Sequence, residues 1–276
     1  MHLFTRKQFV SASVGALVAG TLGACSSNGS NGGSAATKAS DDSYTLVQSG
    51  KILGASDLQY PPLSQMNEST GQPEGFEIDL LAALAEKMGL ESGWIDPIKF
   101  DAIIPLIQQG GKADVGLSAF TITDERLKQV DFTDSYLDSN QGLVVKKELT
   151  DDAEAYLNQA GRKVAAQSGT TGESWAKENL PNAELVPLDD AIQAMTGVFT
   201  GLYDGCVADL PVVSNLTLNS YTDLTVAKQI PTGEQYGIAV SKDNPGLTKA
   251  LNKALTEIQG DGTLDELKTK WFGSNI

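Results

Sequence analysis

From residue 44 onward, short apolar runs alternate with stretches of helical period. Ile52-Leu53-Gly54-Ala55 has strand length, and Leu80, Leu81, Leu84 and Met88 then recur at helical spacing with Gly89 as the stop. Ile103, Ile104 and Ile107 repeat the helical period, closed by Gly110 and Gly111, after which Val115–Leu117 reads as a buried strand. Leu247, Leu251, Leu255 and Ile258, then Leu264, Leu267 and Trp271, predict two amphipathic helices broken at Gly260-Asp261-Gly262. Alternating strands and helices predict an α/β class with mainly parallel sheets. About 230 residues exceed one typical core and suit two lobes.

A short echo supports two related lobes. Ile107–Ser118 (IQQGGKADVGLS) parallels Phe199–Asp209 (FTGLYDGCVAD), each reading as helix end, glycine turn, aspartate, strand. Two extended runs, Gln141–Lys146 and Gln235–Lys242, are candidates to cross between lobes. The first lobe is then discontinuous, residues 44–138 plus 236–276, and residues 139–235 form the second. Open α/β sheets bind ligands at the C-terminal ends of their strands. That places a site in the interlobe cleft, and paired crossings permit closure.

Residues 1–24 have the make-up of an export signal: a basic start at Arg6 and Lys7, then an apolar core, Val10–Leu22, too short to span a bilayer. Thr5–Val10 also resembles a twin-arginine signal with Lys7 in place of one arginine, so the export route stays open. Leu22-Gly23-Ala24-Cys25 looks like a lipoprotein processing box, which makes Cys25 the expected acylated (palmitate-bearing) first residue of the mature chain. Residues 25–43 hold almost nothing to bury and read as a flexible tether. About 18 residues of such coil would hold the domain about 20–25 Å from its anchor.

The acids outnumber the bases by 35 to 20, and losing Arg6 and Lys7 takes the net charge from −15 to −17. Such a surface argues against nucleic acid or an anionic bilayer as partner. Cys206, in the apolar run Gly205–Ala208, is the cysteine left after lipidation, so no internal disulfide is expected. The single histidine, His2, leaves with the signal, which removes histidine-based catalysis and metal ligation. No metal or other cofactor is expected.

Candidate chemistry concentrates in Ala113–Tyr136. A strand runs into Thr121 and Thr123, and a short helix opens with Asp124, Glu125 and Arg126. A guanidinium, hydroxyls and free helix N–H groups at one spot suit a small carboxylate, and the planar fork of Arg126 can bind both its oxygens. In Gln167–Trp175, Gly169 allows a tight turn and Thr170 with Glu173 forms a capping box, so the N–H groups of Thr170 and Thr171 offer a second anion site. Asp209 ends an apolar strand before Leu210-Pro211. Its carboxylate either pairs with an ammonium or caps the next helix.

These stretches resemble family 3 of the bacterial solute-binding proteins, the polar amino-acid capture subunits of ABC importers, with their glutamine, histidine and lysine-arginine-ornithine binders. Gly54–Leu63, Gly71–Leu81, Phe100–Ile107, Ala113–Tyr136 and Lys270–Gly273 carry the likeness, which spans about residues 44–273. It implies a two-lobed periplasmic-binding-protein-like fold of type II, with two mixed sheets flanked by helices and a two-segment hinge. Tyr60 and Phe100 would sandwich the ligand side chain. Main-chain atoms at Ser118 and Ala119 would meet its ammonium beside Asp209, while Arg126, Thr121, Thr170 and Thr171 hold its carboxylate. Asp57 and Gln167 would face the variable end. Glu77 and Asp79 are expected to help start a helix.

Three positions depart from the family pattern. Leu63, in place of phenylalanine, is expected to loosen the pocket rim; Gly172 and Ala208 are expected to leave space or water. No lysine or arginine falls on the side-chain end, and a buried acidic side chain would be unpaired and costly. Glutamine, arginine, lysine or histidine is therefore the expected ligand. The resemblance implies a non-enzymatic monomer, lipid-anchored to the outer face of the cell membrane and serving a permease. The alternatives are an exported cyclohexadienyl-dehydratase-like enzyme using Asp57 or Asp209, and a sensory module presenting its ligand to a membrane receptor.

Overall fold

The computed structural model describes residues 43–149 and 151–273. The export signal, Cys25 and nearly all of the tether lie outside the described residues. In chain order, β1 (Lys51–Ala55) precedes a small antiparallel sheet of β2 (Gln59–Tyr60), β3 (Ser64–Met66) and β4 (Pro73–Glu74). Next come α1 (Phe76–Lys87), β5 (Glu91–Trp94), α2 (Phe100–Gln109), β6 (Val115–Gly116), α3 (Asp124–Leu127) and β7 (Asp131–Phe132). The long β8 (Leu137–Lys146) leads to α4 (Ala153–Leu157), β9 (Lys163–Gln167), α5 (Thr171–Asn179) and β10 (Glu184–Leu188). Then follow α6 (Ala191–Thr200), β11 (Gly205–Asp209), α7 (Leu210–Asn219), β12 (Leu224–Tyr236), β13 (Ala239–Val240), α8 (Pro245–Gly260) and α9 (Thr263–Phe272).

Two five-stranded sheets repeat one layout. In the first, β5, β1 and β6 are parallel, and β13 runs antiparallel to both β6 and the edge strand β7. In the second, β10, β9 and β11 are parallel, and β8 runs antiparallel to both β11 and the edge strand β12. Both sheets are mixed, with their parallel strands on one side.

The short sequence echo has a structural counterpart. Asp114, just before β6, accepts the N–H of Leu53 at 2.7 Å while its own N–H donates to the Leu53 carbonyl at 2.8 Å. Asp204, just before β11, accepts the N–H of Lys163 at 2.8 Å and donates back to the Lys163 carbonyl, also at 2.8 Å. In each sheet the aspartate thus pins the start of a central strand to its parallel neighbour, satisfying backbone groups that the ladder leaves open. Glycine turns at Gly110 (φ +72°) and Gly201 (φ +82°) end the preceding helices, as the echo predicts.

One of the two crossings differs from expectation. Gln141–Lys146 lies wholly inside the second sheet; the chain passes between sheets upstream, where Thr133 N–H meets the Ile238 carbonyl and Tyr136 N–H meets the Tyr236 carbonyl. Gln235–Lys242 does cross between the sheets as expected, though not as one strand. β12 ends at Tyr236, the chain breaks at Gly237-Ile238, and β13 resumes in the first sheet. A Cβ on Gly237 would sit 2.9 Å from Ile122, so the second crossing is packed tightly against the first lobe.

The apolar face of α1 (Phe76, Leu80, Leu81, Leu84) packs against α8 and α9, which bury Leu247, Leu251, Leu255, Ile258 and Leu264. Each buried leucine contributes roughly 1.5–3 kcal/mol, against about 0–1 kcal/mol for an exposed ion pair. This seam, more than the Lys270–Asp79 pair at 2.6 Å, holds the terminal helices. Asp79 lies in the first turn of α1, as expected, and also ties that helix to α9, where it accepts from Trp271 Nε1 at 2.7 Å. Leu63 departs from expectation too: it is fully buried in the core and not on a pocket rim.

Candidate functional site

The site forms where the parallel strands of both sheets end. After β6 the chain turns through Ser118 and Ala119, and Ala119 adopts a left-handed backbone (φ +53°). That conformation costs a non-glycine residue about 1–2 kcal/mol. Glu77 offsets it: its fully buried Oε1 accepts the Ala119 N–H at 2.8 Å and also the Tyr136 hydroxyl. Burial pushes the Glu77 carboxyl up to about 7. Glu77 stands in the first turn of α1, as expected, and is also a brace for the turn at Ser118 and Ala119. The Ser118 hydroxyl donates to Asp57 Oδ1 at 2.9 Å.

Arg126 sits on the one-turn helix α3, whose start is capped by Thr123 Oγ1 accepting the Arg126 N–H at 3.2 Å. Its guanidinium donates to the Thr121 carbonyl at 2.9 Å and, across the cleft, to the Gly169 carbonyl at 3.1 Å. It lies 5.4 Å from the centres of both the Phe100 and Phe120 rings, which stack on each other at 4.8 Å. Burial pulls the Arg126 pKa down, opposed by the negative charges of Asp209 and Glu234. Two of its five N–H donors are used, leaving a fork for a carboxylate.

On the opposite lobe, Thr170 caps α5 by accepting the Glu173 N–H at 3.0 Å. The return arm differs from the usual box: Glu173 Oε2 accepts from the Gly169 N–H at 2.7 Å. Asp209 occupies the N-cap position of α7, yet its side chain does not cap. Its carboxylate accepts from Gln141 Nε2 and from the Tyr236 hydroxyl, both at 2.5 Å. Burial, and then the charge of Glu234, push this carboxyl up to about 7. Of the two readings of Asp209, the structure shows the one facing the cleft. Gly172 leaves no empty space, because a Cβ there would meet Gln141 Oε1 at 2.8 Å and the Val207 carbonyl at 3.2 Å.

Tyr60, Phe100, Ser118, Ala119, Thr121, Arg126, Thr170, Thr171 and Asp209 come together around one inner cavity of about 10 Å³, room for a single water. Asp57 and Gln167 stand apart from it and bond to each other across the lobes, Gln167 Nε2 donating to Asp57 Oδ2 at 2.9 Å. The Phe100 ring stacks on Phe120, while the Tyr60 hydroxyl accepts from the Asp209 N–H at 3.4 Å. Outside Arg126 lies a larger cavity of about 440 Å³, walled by Phe100, Phe120, Arg126 and Gly169. A cavity of about 10 Å³ admits nothing larger than a water unless the lobes part.

Four contributors escaped the sequence reading: Phe120, Gln141, Glu234 and Tyr236. Glu234, on β12, accepts at Oε2 from Thr121 Oγ1 (2.8 Å), Thr171 Oγ1 (3.0 Å) and Gln141 Nε2 (3.0 Å). A hydroxyl has one proton, so both threonines spend theirs on Glu234 and offer the cleft lone pairs. Their backbone N–H groups are the donors left for a carboxylate. The signal that could have found Gln141 is a polar residue opening the apolar run of β8; Glu234 lies one residue before the run that crosses. Two buried carboxylates, Asp209 and Glu234, thus bear on the one guanidinium, and Asp57 is a third, buried apart from it beside Gln167; the arrangement suits a small molecule bearing one carboxylate and more than one cationic or donor group.

Residues 52–274 match the sequence profile of the bacterial extracellular solute-binding proteins, family 3. The L-cystine-binding protein TcyJ of Escherichia coli K12 is 30% identical over 84% of this chain and 86% of its own. The ABC transporter arginine-binding protein 1 of the same organism is 33% identical over 77% of this chain and 87% of its own. The crystal structure of the ancestral amino acid-binding protein AncCDT-1, a precursor of cyclohexadienyl dehydratase, superposes with a TM-score of 0.73 at 37% identity, covering 81% of this chain and 95% of that one. With the doubled five-stranded layout and a cleft built from strand ends, these matches make the chain a member of the bacterial extracellular solute-binding proteins, family 3.

Proposed function

We propose that this protein captures a polar or cationic L-amino acid in its interlobe cleft and delivers it to an ABC permease. The observation that carries the reading is the convergence of Arg126, Asp209, Thr121, Thr170 and Thr171 on one inner cavity. Arg126 with the threonine N–H groups holds the α-carboxylate. Asp209, with the Thr121 and Thr171 hydroxyl lone pairs, takes the ammonium, and Tyr60 and Phe100 flank the side chain. Asp57 and Gln167, bonded to each other here, exchange that bond for one to the ligand's far end. Arginine, lysine, histidine and glutamine fit this surplus of acceptors; glutamate and aspartate do not. The relatives named for arginine and cystine are consistent with a polar amino acid.

The same reading takes residues 44–138 and 236–276 as one lobe, 139–235 as the other, and residues 1–24 as a removed signal. A monomer is lipid-anchored through Cys25 to the outer face of the membrane and acts without catalysis. One observation favours the rival enzymatic reading: a carboxyl held near 7, as at Asp209, has the makings of a general acid. A thermal-shift screen with the standard amino acids, run beside a turnover assay with cyclohexadienyl substrates, separates them. Stabilisation by a polar or cationic amino acid without turnover supports binding; turnover with no amino-acid response overturns it.

A further inference from the structure

We infer that Glu234 is a positioning residue of the cleft, holding one side chain from each lobe at a single carboxylate oxygen and thereby setting how long the closed lobes stay shut. The inference rests on the amino-acid-binding reading for its ligand, though not for its geometry. Glu234 lies at the end of β12, next to the crossing, and is 9% exposed. Thr121 belongs to the first lobe's side of the crossing: its neighbours clasp the chain through the Ile122 N–H to the Gln235 carbonyl at 2.8 Å and the Gly237 N–H to the Phe120 carbonyl at 3.0 Å. Thr171 opens α5 of the second sheet's layer. Oε2 accepts from both hydroxyls at once. Whichever lobe Glu234 follows, parting the lobes breaks one of these bonds.

A second consequence concerns Gln141. Its Nε2 bridges Glu234 and Asp209, so the carboxylate that orders the two threonines is coupled to the one facing the ammonium site. Glu234 does not line the inner cavity, which separates it from the residues that would touch ligand. Its effect therefore falls on closure, not on first encounter.

The test is stopped-flow fluorescence of the full chain with L-arginine as probe, comparing wild type with Glu234→Ala and Glu234→Gln. A hydrogen bond to a charged acceptor is worth a factor of about ten or more, so Glu234→Ala should release arginine at least about tenfold faster. Its association rate should stay within about threefold, because encounter precedes closure. Glu234→Gln, which keeps one accepting oxygen, should fall between. Without added amino acid, hydrogen exchange in peptides spanning 118–127 and 168–176 should quicken in Glu234→Ala more than in peptides elsewhere in the chain. Slowed association with unchanged release, or unchanged rates and unchanged exchange, would overturn the inference. Failure of wild type to bind arginine would count against that ligand, and the exchange comparison would then decide the role of Glu234 alone.

Discussion

Asp209, the proposed partner of a ligand ammonium, ties recognition to pH. With its carboxyl at about 7 it is half protonated near neutrality, yet an ammonium partner needs it ionised. Affinity for an amino acid should therefore rise between about pH 5.5 and 8. Titrations near pH 7 in buffers of different ionisation heat should detect proton release on binding; identical heats would contradict the assignment. The stability response has the opposite sign. A carboxyl raised from 3.8 to about 7 on folding stabilises the fold fully below 3.8, and that contribution is lost as pH rises through about 7. Glu77, raised from 4.5 to about 7, acts in the same direction. The unfolding midpoint without added amino acid should fall from pH 5 to pH 8, and a midpoint that rises would refute both shifts. At Arg126, truncation to alanine leaves a ligand carboxylate unpaired, a loss of roughly 2–5 kcal/mol, or about 30- to several-thousand-fold in affinity. Calorimetry on Arg126→Ala reads this, and binding within a factor of two of wild type would remove the residue from the site.

At the scale of elements, local chemistry explains which parts were legible beforehand. α5 and α3 announce themselves through caps at Thr170 and Thr123, and α1, α2, α8 and α9 through apolar spacing ended by glycine or a Gly-Asp-Gly break. β12 was not legible over its length, because much of it, such as Lys228, Gln229 and Thr232 to Gly233, is an exposed edge with no alternation to read. The first crossing was misplaced for a related reason: apolar runs mark burial, and the buried part of β8 lies inside the second sheet, not between sheets. The aspartate pins are the testable feature of this level. Asp114→Ala removes acceptors for the N–H groups of both Val47 and Leu53. It should cost roughly 1–3 kcal/mol per group left unsatisfied. Urea unfolding should place Asp114→Ala well below wild type, and an unchanged midpoint would show the pin is ornamental. Gly172→Ala pushes on Gln141 and the Val207 carbonyl and should destabilise by about 1–3 kcal/mol while weakening ligand binding.

At the scale of the molecule, two copies of one sheet layout face each other, and the cleft takes its chemistry from both. Its hydrogen bonds run lobe to lobe: Arg126 to Gly169, Gln167 to Asp57, and Thr121 and Thr171 through Glu234. Arg126, Thr121, Thr170, Thr171 and Asp209 were legible because strand ends and helix starts announce where polar groups point, whereas Tyr60, Phe100, Ser118 and Ala119 came from the family resemblance. Gln141, Glu234 and Tyr236 were not legible, since a polar residue within a strand gives no sign of which lobe it will meet. The surplus of carboxylates over the single guanidinium is the property on which the account turns. Calorimetric titration of the full chain, freed of bound solute, with arginine, lysine, histidine, glutamine and glutamate tests it most directly. The account predicts that at least one of the first four binds with a dissociation constant of about micromolar or below, and that glutamate does not compete. Tight glutamate binding, or no response to any of the four, would contradict it.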